Sequence, residues 1–186
     1  EADLVSFCQR IADTSWMTVD TEFLREKTYY SQLCLIQVAT DDEIACIDPL
    51  VIDNLDPILD LIYSPDITVV FHAARQDLEL FYTLRGSLPT ALFDSQLAAT
   101  VLGYGDQIGY GNLVKQCTGV ELDKAHSRTD WTKRPLDAGQ IEYAADDVRY
   151  LRDVYKRLLQ ELKDKNRLHW LDEDFNNLTN INTYEP

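Results

Sequence analysis

Two acids stand two residues apart in the middle of "WMTVDTEFL", residues 16–24, a run that otherwise reads as a buried strand. Side chains alternate along a strand, so Asp20 and Glu22 share one face while Val19, Thr21 and Phe23 take the other. Two carboxylates a few ångströms apart repel each other, and burial raises the cost of ionising both. Such a pair calls for a neighbouring cation or a shared proton. Asp77 falls in the first turn of the helical run "RQDLELFYTL", close to His72 at a strand end, where the helix dipole alone would favour an acid. Tyr143 and Asp147 are four apart in "YAADDV", which puts a phenol and a carboxylate on one helix face, with Ala144 and Ala145 leaving room beside them. A solvated polar pair is the plain alternative there, and Asp146 and Glu142 need be no more than that. Were Asp20, Glu22, Asp77 and Asp147 to converge, they would offer the all-oxygen ligation that a pair of Mg²⁺ or Mn²⁺ ions requires. Two such ions promote phosphodiester hydrolysis.

Other residues carry weaker signals. His72 ends a strand beside these acids and is a candidate substrate contact, with a structural, hydrogen-bonded histidine as the simpler reading. Asp94 precedes a helical run and is explained as an N-cap. His126 and His169 lack ligand spacing. Lys124, Arg128, Trp131 and Arg134 gather basic and aromatic character in "DKAHSRTDWTKRP", where they are candidates for phosphate contact or base stacking. Trp131 could equally pack that connector onto the core. Phe23 is placed either to wedge near a terminal nucleotide or to fill the core. Gln32 and Tyr29 follow the first strand and would border the same groove.

The elements that must hold these residues are legible from periodicity. Residues 3–12 have helical spacing behind Asp3, and the strand of Asp20 and Glu22 follows. Residues 32–40 and 43–48 are β-rich and separated by Asp41 and Asp42, a hairpin signal, so three strands in succession give an antiparallel start. A β-α-β-α-β succession follows. It comprises a helix in "DNLDPILDLIYS", the strand "ITVVFHA", a helix ending at Gly86, the short strand "ALFD" and the helix "SQLAATVLG". Residues 103–112 are glycine-rich without the spacing or lysine of a phosphate loop and are expected to form a mobile connector, with a short helix near 112–117. The longest helical pattern runs from Asp137 to about Lys165, opened by a capping box of Asp137 and Gln140. The segment 171–186 is polar and aperiodic, so it reads as a tail or linker behind a catalytic domain of residues 1–170. The expected class is α/β, a mixed five-stranded sheet flanked by helices.

Composition limits the alternatives. The chain has 186 residues, 45% of them hydrophobic, enough for one compact domain with a full core. It shows no membrane-length apolar run and no leader, so a soluble cytoplasmic protein, monomeric and free of membrane, is the expectation. Four scattered cysteines, Cys8, Cys34, Cys46 and Cys117, read as buried thiols rather than a zinc site or disulfide framework. Lys and Arg total 17 against 32 Asp and Glu, a net charge of −15, which argues against a clamp that grips nucleic acid by a basic surface. It leaves room for an enzyme that meets phosphate through bound cations, because the cations invert the local field.

At these residues the sequence resembles the DEDD exonucleases, in the subgroup with tyrosine in its third motif, and there the ribonuclease D family. "VDTEF" looks like the first motif, "HAARQDLELF" the second and "YAADDVRYL" the third. The likeness continues through "TYYSQLCLIQ", "IDPL", "LFDSQLAA", "LDKAHSRTDWTKRPL" and the glutamine of "GQIEYAA", covering most of residues 16–160. The resemblance implies a ribonuclease H-like fold, two metal ions held by Asp20, Glu22, Asp77 and Asp147, and Tyr143 positioning the attacking water. It also implies 3′-to-5′ hydrolysis of RNA to nucleoside 5′-monophosphates, with 3′ processing of transfer RNA precursors as the usual task. A phenol with a reference pKa near 10 is a poor proton acceptor at neutral pH, so Tyr143 is better suited to orienting a water than to deprotonating it. Alternatives that share the motifs are an exonuclease of very short RNAs or of DNA, and an inactive nucleic-acid-binding domain. The second is disfavoured because a pure binder gains nothing from costly converging acids. Family members continue into helical nucleic-acid-binding domains, so the chain reads either as a catalytic part of a longer protein or as a naturally short one, the latter favouring very short RNAs over transfer RNA.

Overall fold

The computed structural model describes residues 1–25 and 31–185. Tyr29 therefore lies outside the described residues. A helix α1 (Ala2–Ile11) leads into β1 (Trp16–Arg25), β2 (Ser31–Ala39) and β3 (Ile44–Ile47). Helices and strands then alternate as α2 (Asp56–Ile62), β4 (Thr68–Phe71), α3 (Arg75–Arg85), β5 (Leu92–Asp94) and α4 (Ser95–Val101). Two helices, α5 (Tyr110–Thr118) and α6 (Ala138–Asp164), complete the expected set.

The strands form one five-stranded sheet in the order β3-β2-β1-β4-β5. β1 is central, antiparallel to β2 and parallel to β4. Alternation divides each strand between two cores. Met17, Val19, Val69 and Phe71 pack with Phe7 of α1, Ile58 of α2 and Phe81 of α3 on one face, while Val70 and Phe93 pack with Leu113 of α5 and Leu151 and Leu158 of α6 on the other. Parallel strands covered on both faces read as continuous apolar runs, which is why "TVVF" and "LF" carry no polar alternation. Local chemistry sets the helix ends. Gly86 closes α3 in the left-handed region at φ 67°, where a side chain would be strained. The capping box of α6 is present: Asp137 Oδ1 accepts from the Gln140 amide at 2.8 Å, and Gln140 Oε1 accepts from the Asp137 amide at 3.0 Å.

Two expectations are corrected. The glycine-rich connector is tied down rather than loose: the Ile108 carbonyl accepts from His72 Nε2 at 2.9 Å and from Gln96 Nε2 at 3.2 Å. Its glycines answer to backbone geometry, with Gly103 and Gly105 at φ 84° and 128°. The segment after residue 170 is not a loose polar tail. It forms α7 (Asp172–Leu178) and a 3₁₀ turn, Ile181–Thr183. Leu171 is fully buried, Phe175 meets Phe93 edge to face at 5.6 Å between ring centroids, and Leu178 and Tyr184 pack against the α1–α3 core. Leu171, Phe175 and Leu178 lie four and three apart, a short helical stripe hidden by polar neighbours.

Candidate active site

β1 sends Thr18, Asp20 and Glu22 toward α6, the face its alternation assigns them. α6 lies along that face, and Asp147 projects from it. One carboxylate oxygen from each of Asp20, Glu22 and Asp147 lies within 4.8 Å of the others. Three of the four expected ligands thus converge directly.

Asp77 arrives from the other side of the sheet. It is buried in the first turn of α3 and accepts a hydrogen bond at Oδ1 from the hydroxyl of Thr21, the β1 residue that faces away from Asp20 and Glu22. It stands beside the cluster, where burial and then the charge of Asp20 raise its carboxyl. What holds it there is Asp94. The N-cap role read from sequence is present, with Oδ1 accepting from the Gln96 amide at 2.9 Å. The same carboxylate also accepts from the amides of Ala73 at 3.0 Å and Ala74 at 2.9 Å. That pins the turn, with Ala73 at φ 57°, from which α3 and Asp77 depart.

Tyr143 stands one turn before Asp147 on α6, partly buried. Its ring lies 6.1 Å from Trp131 and 6.4 Å from His126, centroid to centroid. Trp131 is buried with Cys34, Leu35 and Ala144, so its packing role is the one realised, and through it Tyr143 is backed by the connector. Arg134 fixes that connector to the sheet edge. Its guanidinium forks onto Asp48, with Nε to Oδ2 at 2.8 Å and Nη2 to Oδ1 at 3.0 Å, and also reaches the Cys34 carbonyl at 2.8 Å and the Trp131 carbonyl at 2.6 Å. Lys124 and Arg128 are exposed on the same connector, outside the acid cluster. Arg149 pairs with Asp146 and Glu142, so the plain reading of these two acids as surface partners holds.

His72 borders a cavity of about 200 Å³ together with Asp20, Tyr110 and Asp147. Both of its ring nitrogens are engaged, Nε2 donating to the Ile108 carbonyl and Nδ1 lying 2.7 Å from Ser95 Oγ. Burial pulls its imidazole below the usual histidine range. It tethers the 103–109 connector at the edge of the cavity. Phe23 turns to the α3 side and lines a separate surface cavity of about 500 Å³ with Gln76, Leu80, Tyr82 and Tyr184. Gln32 is exposed on β2, His126 lies by Tyr143, and His169 pairs with Trp170 at 6.5 Å. All four cysteines carry free thiols.

One residue of the site was missed by sequence reasoning. Gln37, directly across β2 from Asp20, is fully buried and donates to Glu22 Oε1 at 3.3 Å and to the Ala144 carbonyl at 3.2 Å. The signal was a lone amide inside the apolar run "LCLIQVA".

The electrostatics are those of acids crowded out of water. Burial, and then Asp147, holds the Asp20 carboxyl well above the usual range. Burial and Asp20 raise Glu22 to about 8, and burial and Glu22 raise Asp147 to about 8. Burial and Asp20 likewise raise Asp77, against the opposing hydrogen bond from Thr21. Tyr143 is pushed up to about 12, first by burial and then by Asp147, Glu22 and Asp20. Among the described residues, no lysine or arginine forms an ion pair with Asp20, Glu22, Asp77 or Asp147. The donor set therefore fits a hard divalent cation: oxygen only, closely spaced, and relieved of repulsion when positive charge enters.

Comparison with known proteins agrees with this geometry. A family model described as 3′-5′ exonuclease matches residues 1–163. Ribonuclease D of Jannaschia sp. (strain CCS1) is 49% identical over 98% of this chain and 48% of its own length. The crystal structure of Escherichia coli RNase D, described as an exoribonuclease involved in structured RNA processing, superposes with a TM-score of 0.95 at 36% identity, covering 100% of this chain and 49% of that one. Brucella melitensis NrnC with bound Mg²⁺ matches with a TM-score of 0.79 at 25% identity, covering 90% of this chain and 83% of that one. The chain spans about half the length of the curated relatives it matches.

Proposed function

This chain belongs to the 3′-5′ exonuclease family, and from that premise we propose that it is the catalytic unit of a metal-dependent exoribonuclease. It hydrolyses RNA from the 3′ end and releases nucleoside 5′-monophosphates. The observation that carries the reading is the convergence of Asp20, Glu22 and Asp147 on one face of β1 and α6, with Asp77 alongside. Asp20, Glu22, Asp77 and Asp147 would hold two divalent cations, Mg²⁺ or Mn²⁺, which supply Lewis acidity to the attacking water and to the departing 3′ oxygen when bound. Bacterial NrnC, solved with Mg²⁺, supports that choice of ion.

The chain's own residues do the rest. Tyr143, its phenol held protonated at neutral pH, donates a hydrogen bond that orients the water for attack on phosphorus. Trp131, locked by Arg134 and Asp48, keeps the Tyr143 ring in place. His72 and Tyr110 wall the cavity beside Asp20 and Asp147 and limit the water that reaches it. Phe23 contributes to the groove along which the terminal nucleotides lie, and Lys124 and Arg128, the exposed cations of the connector, meet backbone phosphates farther along the strand. Residues 1–170 form the exonuclease unit in this reading, with 171–185 packed against it. The protein acts as a monomer in the cytoplasm. No helix among the described residues is long and apolar enough to cross a membrane.

The substrates we propose are 3′ ends of structured RNAs, after the role stated for the E. coli relative, with transfer RNA precursors among them as the family resemblance implies. A second reading, very short RNAs, draws support from Brucella NrnC solved with pGG. One assay separates them: 5′-labelled RNAs of graded length and a DNA control, incubated with Mg²⁺ or Mn²⁺ and with a chelator. A ladder shrinking by single nucleotides from the 3′ end of long RNAs supports the first reading, and activity confined to oligomers of a few nucleotides supports the second. Internal cuts, or cleavage in chelator, would overturn both.

A further inference from the structure

Gln37 is a poor choice for a buried strand position unless it has work to do. Its Nε2 faces two acceptors, the Ala144 carbonyl on α6 at 3.2 Å and Glu22 Oε1 on β1 at 3.3 Å. The carbonyl can only accept, so the orientation of the amide is fixed whatever the state of Glu22. Turned over, it would set oxygen against oxygen at Ala144 in either state, and at Glu22 as well once that acid is ionised. The consequence falls on Gln37 Oε1, which is buried and has no hydrogen-bond partner among the described residues. A methionine of similar length would fill the same space without burying an unpaired acceptor. Folding stability therefore does not account for the amide.

Docking of α6 does not account for it either. Thr18 Oγ1 already donates to the Val148 carbonyl, one turn along the same helix, at 2.9 Å. Arg152 Nη1 reaches the Thr40 carbonyl at 2.9 Å a further turn on. Both hold the helix to the sheet through carbonyl oxygens. Gln37 alone among the three also bonds one of the converging acids.

We propose that Gln37 is a positioning residue for the metal site, one N–H anchored on Ala144 and the other holding Glu22 Oε1, so that the ligands of strand and helix keep one mutual geometry. The inference rests on Glu22 being a metal ligand. Loss of an outer partner that orients a ligand typically lowers metal affinity or activity roughly 10–100-fold. Gln37→Met should lower Mn²⁺ affinity by about that factor. Thr18→Val removes a docking hydrogen bond of the same helix without touching an acid, and should leave the affinity within about threefold.

The test is Mn²⁺ titration calorimetry on the wild type, Asp20→Asn, Gln37→Met and Thr18→Val, with a thermal melt in chelator to verify folding. Gln37→Asn keeps an amide but withdraws it by one methylene, and takes the place of the methionine variant should that fail to fold, with the same loss expected. Weakened binding in the Gln37 variant beside near-wild-type binding in Thr18→Val supports the assignment. Wild-type affinity in the Gln37 variant, or an equal loss in Thr18→Val, overturns it while leaving the exonuclease reading intact. A wild type that binds Mn²⁺ no better than Asp20→Asn removes both.

Discussion

Asp20→Asn should change melting temperature in opposite directions in two buffers. Carboxyls in an unfolded chain titrate near 4, whereas Glu22 and Asp147 sit at about 8 in the fold and Asp20 is raised as well. A group whose folded pKa is raised favours the fold while it stays protonated, and that contribution is lost as pH climbs through the folded value. In chelator the wild type should therefore lose stability between about pH 5 and pH 9. Asparagine keeps the shape of Asp20 and removes the leading charge acting on Glu22. Two like charges about 4 Å apart repel by up to about 4 kcal/mol at an effective dielectric of 20. At about 2–4 °C per kcal/mol for a chain of this size, a relief of roughly 1–2 kcal/mol raises the variant's melting temperature by about 2–8 °C near pH 8.5. Near pH 5, where these acids hold their protons, the difference should close. With Mn²⁺ at about 100 times its Kd the wild type gains about 2.7 kcal/mol, or roughly 5–11 °C, and the variant gains little, so the order inverts. Differential scanning fluorimetry at both pH values, with and without metal, reads all four conditions. A variant that melts below the wild type in alkaline chelator, or that gains as much from Mn²⁺, refutes the view that these acids are held together for a cation.

Three further outcomes are expected. Tyr143→Phe should bind Mn²⁺ like the wild type yet lose roughly 10²–10⁴ in turnover, whereas Asp147→Ala should lose metal binding as well; a fully active phenylalanine variant excludes the water-orienting role. Lys124→Ala combined with Arg128→Ala should weaken binding of single-stranded RNA without altering Mn²⁺ affinity. The slope of log affinity against log salt should become shallower by about 0.7 for each phosphate contact removed, and an unchanged slope places the strand elsewhere. Phe175→Ala should cost about 2 kcal/mol, below the roughly 3–5 of a fully buried phenylalanine because the ring is only half-buried. It should lower the melting temperature by about 4–8 °C at constant metal affinity, while an unchanged melt shows the 171–185 segment to be undocked in solution.

The fold was legible where periodicity and punctuation agree. β1 to β5 and α1 to α6 occur in the expected order, and both the capping box of α6 and the Gly86 stop of α3 are present. The two misreadings share a cause. In residues 103–112 the glycines suggest freedom, yet Gly103 and Gly105 supply positive φ in a loop held by His72 and Gln96. In residues 171–185 the polar majority hid an apolar stripe that needs only three or four side chains to dock a short helix.

The site divides along a different line. Asp20, Glu22 and Asp147 were conspicuous because an acid on an apolar strand or beside a helix core is costly, and that cost is visible in residue type alone. The parts that hold them are ordinary in isolation. Threonine in a strand and arginine before proline carry no local signature, the lone amide of Gln37 in its apolar run does not name its partners, and each acts on something distant: Gln37 on Ala144, 107 residues away, Arg134 on Cys34, 100 residues away, Thr21 on Asp77, 56 residues away. Such partnerships exist only once the chain has folded. The residues that perform chemistry can therefore be read from a sequence by what they cost, whereas those that set its geometry must be read from the bonds they make, and the unpaired oxygen of Gln37 is where that second kind of cost becomes visible.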